Sequence, residues 1–100
     1  MDRSEVITLI SVKSAKNAYG METGTETRRN VFVNVKSVSS KEFFDAGQAG
    51  IRAQYVFSMF GPDYAGETIA EYRGRRYSVY RTYAKKNDEL ELYVEEKTGV

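Results

Sequence analysis

The sequence predicts an all-β fold: a small closed β-barrel of about six mostly antiparallel strands, with one short inserted helix and a long mobile loop. Short apolar runs alternate with a period of two, and turn residues separate them at roughly the 8–12-residue spacing of all-β domains. The third observation is geometric. Six strands in 100 residues leave sheet edges either exposed or closed on each other, and closure into a barrel removes them. The length fits one domain, residues 1–100, with a small core.

The first run, Glu5 to Lys13, carries Val6, Ile7, Leu9, Ile10 and Val12, and its β-branched content predicts a strand. Ser14 to Thr27 shows no hydrophobic period and contains Asn17, Tyr19, Gly20, Met21 and Gly24, so it is expected to be a long, mobile hairpin loop. Arg29 to Val38 alternates cleanly, with Val31, Val33 and Val35 on one face and Phe32, Asn34 and Lys36 on the other.

Val38 to Gly50 interrupts the strand pattern with a helix signal. Ser39 followed three residues later by Glu42 is a capping box, in which the serine accepts from the Glu42 N–H and the glutamate reaches back to Ser39. Gly47 and Gly50 each cost about 1 kcal/mol of helix propensity relative to alanine, so the helix is expected to be short and its C-terminal half soft.

Arg52 to Phe60 resumes alternation, with Ala53, Tyr55, Phe57 and Met59 on a shared face. Gly61-Pro62-Asp63 makes a turn. Thr68 to Arg73 and Arg76 to Tyr83 flank Gly74 as a tight hairpin whose two-residue loop is either Arg73-Gly74 or Gly74-Arg75. Lys85-Lys86-Asn87-Asp88 turns the chain into a closing strand around Leu90, Leu92 and Val94, and Lys97 to Val100 is expected to fray.

Composition narrows the function. With no cysteine and no histidine, the chain lacks a thiolate nucleophile, thiolate metal ligands, and the commonest general base and metal ligand. Catalytic, cofactor and metal residues are therefore expected to be absent, and the chain is expected not to be an enzyme. No apolar run approaches a membrane span. The opening Met1-Asp2-Arg3-Ser4-Glu5 lacks the basic start and apolar middle of a signal peptide, so the expectation is a chain that stays in the cytoplasm where it is made. The formal net charge of +1 gives no overall basic excess for duplex DNA.

Two clusters invite a functional reading. Tyr72, Arg73, Arg75 and Arg76, continuing through Tyr77, Tyr80, Arg81 and Tyr83, combine guanidiniums for phosphates with rings for bases, as in a small single-stranded nucleic-acid-binding barrel. Against this, strict alternation throws the tyrosines onto both faces, and the acidic closing strand with Glu89, Glu91, Glu95 and Glu96 stands ready to pair with the arginines. A solvated face or a protein interface is the favoured reading. Glu42 and Asp45 sit three apart on one helix face, yet first-turn acids are ordinary partners of the helix dipole, and the cap outweighs a catalytic pair. Phe43 and Phe44 point about 100° apart on a helix. Either the helix packs across a barrel mouth and buries both, or one of them meets a neighbouring subunit.

In order along the chain, these parts resemble the phage head–tail joining family, the small head-closure or "stopper" proteins of long-tailed bacteriophages and prophages. The resemblance runs from about Ile7 to Glu95. It rests on the opening I-T-L strand, Tyr19-Gly20, Val31-Phe32-Val33-Asn34-Val35, Ser40-Lys41-Glu42-Phe43-Phe44, the hairpin Tyr72-Arg73-Gly74-Arg75-Arg76-Tyr77-Ser78-Val79, and Leu90-Glu91-Leu92. Ser40-Lys41 fills a small-then-basic slot before the Glu-Phe pair, whereas Arg73 replaces the family's usual asparagine and Gly61-Pro62 replaces an Arg-Tyr-rich strand end.

The resemblance implies a structural virion protein of the head–tail connector, assembled in the bacterial host cytoplasm. It would form a ring with copies of itself below the portal and adaptor proteins, retain the packaged DNA and offer a docking surface to a tail completion or tail tube protein. DNA would be met only in the channel, and no membrane is involved. Ser40, Lys41, Glu42, Phe43, Phe44, Asp45 and Gln48 are the expected ring or channel segment, and Asn17, Tyr19, Gly20 and Met21 the expected mobile loop.

Overall fold

The computed structural model describes residues 4–16, 18–20 and 22–96. Among these residues there are six strands, β1 (Glu5–Lys16), β2 (Glu22–Ser37), β3 (Ala53–Phe60), β4 (Ile69–Tyr72), β5 (Arg75–Ala84) and β6 (Glu89–Glu96), with one α-helix, α1 (Ser40–Gln48). The strands close into a barrel in the order β1-β2-β3-β6-β5-β4, and every neighbouring pair is antiparallel. The seam is short. β1 and β4 pair only through Thr8–Glu71, Leu9–Ala70 and Ile10–Ile69.

The interior follows from the period-two pattern. Ile7 and Leu9, Val31 and Val33, Phe57 and Met59, Ala70 and Tyr72, Tyr77, and Leu92 and Val94 point inward from successive strands into one core. At one end the core is aromatic. Tyr55 meets Tyr72 and Tyr77 edge-on at 5.6 Å between ring centres, and Phe57 meets Tyr72 at 5.5 Å. Tyr72 and Tyr77 are thus core residues, not members of an exposed stacking platform.

The connection from β3 to β4 is short and well tied. Gly61–Asp63 form a single 3-10 turn with Pro62 near its start. Glu67, only 4% exposed, then returns the chain to the barrel by accepting from Arg29 Nη2 at 2.6 Å and from the Ala65 N–H at 2.9 Å.

The largest correction concerns Ser14 to Thr27. In place of a long loop, β1 and β2 run on as a two-stranded ribbon paired from Glu5–Val33 to Lys16–Glu22. Thr25 and Thr27, both exposed, supply the β-branched residues that a solvent-facing ribbon needs, so apolar periodicity has no reason to mark it. Arg76 fastens its base to the barrel through Glu26 at 3.1 Å, and Arg28 through Glu71 at 3.7 Å. Tyr19 and Gly20 remain at the exposed tip, with Gly20 at φ +79°. Asn17 and Met21 of the expected mobile loop, and residues 97–100, lie outside the described residues.

The helix also differs from expectation at its end. Gly50 lies beyond α1 at φ +79°, where its N–H bonds to Gly47 O and the Ile51 N–H bonds to Ala46 O. This is a Schellman stop, which satisfies the last carbonyls and fixes the exit of the chain. The glycine terminates the helix instead of softening it. Among the described residues, no helix is long and apolar enough to cross a membrane.

Candidate functional site

The site is built where α1 lies against the outside of the barrel. Ser39 caps the helix by accepting from the Glu42 N–H at 3.1 Å, as the capping box predicts. The reciprocal half of the box goes elsewhere. The Glu42 carboxylate accepts from Tyr80 Oη at 2.6 Å and from Arg81 Nη2 at 2.6 Å, and so ties the first turn of α1 to β5. Ala46, one turn on, is the helix's buried residue, and the helix packs on β3.

Under the helix, Lys36, Val56, Tyr93 and Arg81 form one cross-strand row over β2, β3, β6 and β5. With α1 they enclose a groove of about 480 Å³. Arg81 lies over the Tyr93 ring at 3.7 Å, and Tyr93 packs edge-on against Tyr80. Lys36 reaches the buried Glu91 at 2.8 Å, and Tyr93 Oη donates to the same carboxylate. β5 carries its register shift between Val79 and Arg81. The extra residue, Tyr80, breaks the alternation read from sequence and brings both Tyr80 and Arg81 within reach of Glu42.

The electrostatics are those of a lock. The Arg81 guanidinium holds Glu42 below the ordinary carboxylate range against the opposing effect of partial burial, and the Tyr80 hydroxyl adds to the depression. Burial and the Glu42 charge push the Tyr80 phenol upward. Asp45 is engaged separately, with Lys41 at 2.7 Å. Glu42 and Asp45 therefore serve different cations, and Glu42 is held as an anion, a state that suits a tether and not a general acid.

The arginine hairpin is likewise matched by carboxylates. Arg73 pairs with Glu5 at 3.3 Å, Arg75 with Glu96 at 3.2 Å, and Arg76 with Glu26 and Glu71. Tyr72 Oη donates to Glu5 at 2.7 Å. The guanidiniums face acids, and the Tyr72 and Tyr77 rings lie in the core, so phosphate and base contacts would have to displace existing ones. The two-residue loop is Arg73-Gly74, both at positive φ, as in a type I′ turn.

Phe43 and Phe44 are the outstanding feature of the segment. They are 55% and 67% exposed, so the reading in which the helix plugs a barrel mouth and buries both does not hold. The helix has room for only Ala46 against β3 because the barrel interior is already filled by its own strands. The two rings, with Gly47 and Gln48, line a shallow apolar surface, while Ser40 and Lys41 lie exposed beside them. Sequence reasoning missed Tyr80 as a partner of Glu42, and Tyr93 and Lys36 as lining of the groove beside it. It also passed over Phe32, a phenylalanine on the polar face of its strand and 65% exposed. An aromatic residue among Asn34 and Lys36 was the available signal.

No protein-family model matches the sequence, and no curated protein matches it. Among solved structures, the fold is similar to the solution structure of protein SF1141 from Shigella flexneri 2a, with a TM-score of 0.79 over 97% of this chain and 95% of that one. At 17% identity, this likeness extends to the fold alone.

Proposed function

We propose that this chain is a structural subunit of a phage head–tail connector, forming a ring below the portal and its adaptor that retains packaged DNA and presents a docking surface to the tail. The observation that carries the reading is the exposure of Phe43 and Phe44 on a helix fixed at both ends. A small monomer gains nothing from two adjacent phenylalanines in water, whereas aromatic residues are the usual anchors of protein interfaces. The Glu42 tether and the Schellman stop hold the pair in one orientation, which lowers the ordering cost when a partner arrives. The paired arginines favour this reading over single-stranded nucleic-acid binding.

The test is the double variant Phe43→Ala/Phe44→Ala, introduced into the phage and assayed in assembled particles for retained DNA and attached tails. Loss of both, with the variant chain still folded, is expected. Normal infectious particles would sink the proposal.

A further inference from the structure

A second apolar surface lies elsewhere on the barrel. Val6 pairs with Phe32 across β1 and β2, and both side chains are exposed on the outer face, as is Phe60 at the end of β3. Phe32 and Phe60, with Arg29, Asn30, Val31 and Asp63, line a groove of about 440 Å³. This groove shares no residue with the one under α1. One chain thus carries both a projecting aromatic pair and an aromatic-walled depression.

We infer that the groove beside Phe32 and Phe60 receives the Phe43–Phe44 face of α1 from a second copy of this chain. The charges flanking the two surfaces match. Lys41 lies one helical turn before Phe44, on the same face, and its pairing with Asp45 is a weak, exposed i,i+4 contact that a second carboxylate can replace, while Asp63 at the rim of the groove has no ion-pair partner among the described residues. The Arg29 guanidinium donates to the Glu67 carboxylate and to the Asp63 backbone carbonyl, so the Asp63 carboxylate is left to meet an incoming cation.

The area sets the strength. Four phenylalanine rings, each about half exposed, amount to on the order of 400–500 Å², well under the ~1,200 Å² of a stable interface. A single contact is therefore weak and the free protein is monomeric at ordinary concentration. A template that lines up many copies turns the same contact into a stable array, because each subunit then uses both surfaces at once. The unlike surfaces make the contact heterologous, which closes into a ring if the rotation allows it. In this last step the inference rests on the connector reading above.

The chain has no cysteine, so cross-linking maps the contact without background from its own thiols. Gln48→Cys and Asn30→Cys, which line the two surfaces and leave all four rings in place, are made in separate chains, concentrated, and treated with a short bis-maleimide. The mixture is expected to give covalent dimer in at least fivefold excess over either variant alone. Lys41→Glu in the first chain is expected to lower the yield severalfold, and Asp63→Lys in the second to restore it. No excess in the mixture, or equal dimer from Gln48→Cys alone, overturns the docking and leaves the connector reading to its own particle assay. With both cysteines in one chain, a ladder of multimers supports docking and ring together. Closed dimers alone support the docking and overturn the ring.

Discussion

The carboxylate of Glu42 and the guanidinium of Arg81 meet at 2.6 Å and join the first turn of α1 to the bulged strand β5, 39 positions along the chain. Neighbouring groups brace both partners. Ser39 uses the Glu42 N–H, Tyr80 adds its hydroxyl to the same carboxylate, and the Tyr93 ring supports the guanidinium from below. The helix buries only Ala46, so its position depends on this polar contact more than on apolar packing.

Glu42→Gln is therefore expected to free the helix from the barrel without unfolding it. Losing the charge from a tether with two short hydrogen bonds costs about 1–2 kcal/mol, or roughly 4–8 °C in Tm per kcal/mol for a domain of this size. Urea unfolding measures the loss. Hydrogen exchange locates it, with faster exchange confined to α1 and the adjoining part of β5. Uniformly faster exchange across the barrel would show that the tether supports the whole fold.

Acid should act through the same group and two others. Arg81 and Tyr80 lower the pKa of Glu42. For Glu67 and Glu91, burial raises the pKa, but the hydrogen bonds from Arg29 and Lys36, joined by weaker contacts, outweigh it and leave both lowered. A carboxylate whose folded pKa lies below its ordinary value of 4.5 stabilises the fold fully above that value. The contribution disappears as pH falls through the lowered folded pKa. Stability should thus be flat near neutrality and decline below about pH 4.5. The Glu42→Gln variant should decline less steeply, since it has one fewer linked proton to take up. Urea midpoints measured across the acid range decide this, and equal slopes would contradict it.

Arg29 and Glu67 predict a weakened dependence on acid. Glu67 is buried, and its charge is tolerated because Arg29 and the Ala65 N–H bond to it. Arg29→Met removes the main counterion and should cost about 2–3 kcal/mol, below the ~3–5 kcal/mol of a fully buried pair because Arg29 is partly solvated. Burial then acts on Glu67 against only the backbone N–H groups of Ala65 and Glu67, so its folded pKa moves upward. The stabilisation that this carboxylate contributes above its unfolded pKa shrinks accordingly. The gap between Arg29→Met and the parent should narrow on acidification. A double variant that also carries Glu67→Leu should lose less than the sum of the two single changes.

Sequence and structure agree where burial enforces a pattern. Val31 and Val33, Phe57 and Met59, and Leu92 and Val94 alternate because one side of each strand faces the core. The barrel, its strand count and the helix were legible for that reason. The ribbon from Ser14 to Thr27 was not, because its side chains from Thr25 to Thr27 are exposed and an exposed stretch demands no apolar period. Within the candidate site, Ser39 and Glu42 were legible as a cap, since the relevant contact is local. The link from Glu42 to Tyr80 and Arg81 was not, because it depends on a one-residue bulge that leaves no mark in composition. Phe43 and Phe44 could be named but not placed. Whether they are buried depends on how much of the interior the strands fill.

The β4–β5 turn offers a change that should stabilise the protein. Arg73 and Gly74 occupy the two central positions at φ 52° and 78°, the left-handed region that a type I′ turn requires. Glycine adopts it freely, and asparagine adopts it more readily than arginine, because its short polar side chain can bond to its own backbone. Arg73 gives up two contacts on replacement, both exposed: a guanidinium 5.2 Å over the Tyr72 ring, and an ion pair. Its pairing with Glu5 is strongly exposed and spans 3.3 Å, the kind of contact worth only a few tenths of a kcal/mol. Glu5 keeps its hydrogen bond from Tyr72 Oη. Arg73→Asn should therefore raise stability by about 0.5 kcal/mol, a shift of roughly 2–4 °C in Tm. Arg73→Val, β-branched and poorly suited to positive φ, should lower it by at least as much. Thermal unfolding of the two variants beside the parent gives the order Asn above Arg above Val if backbone conformation governs the turn. If the Glu5 ion pair governs it instead, both variants fall below the parent by similar amounts.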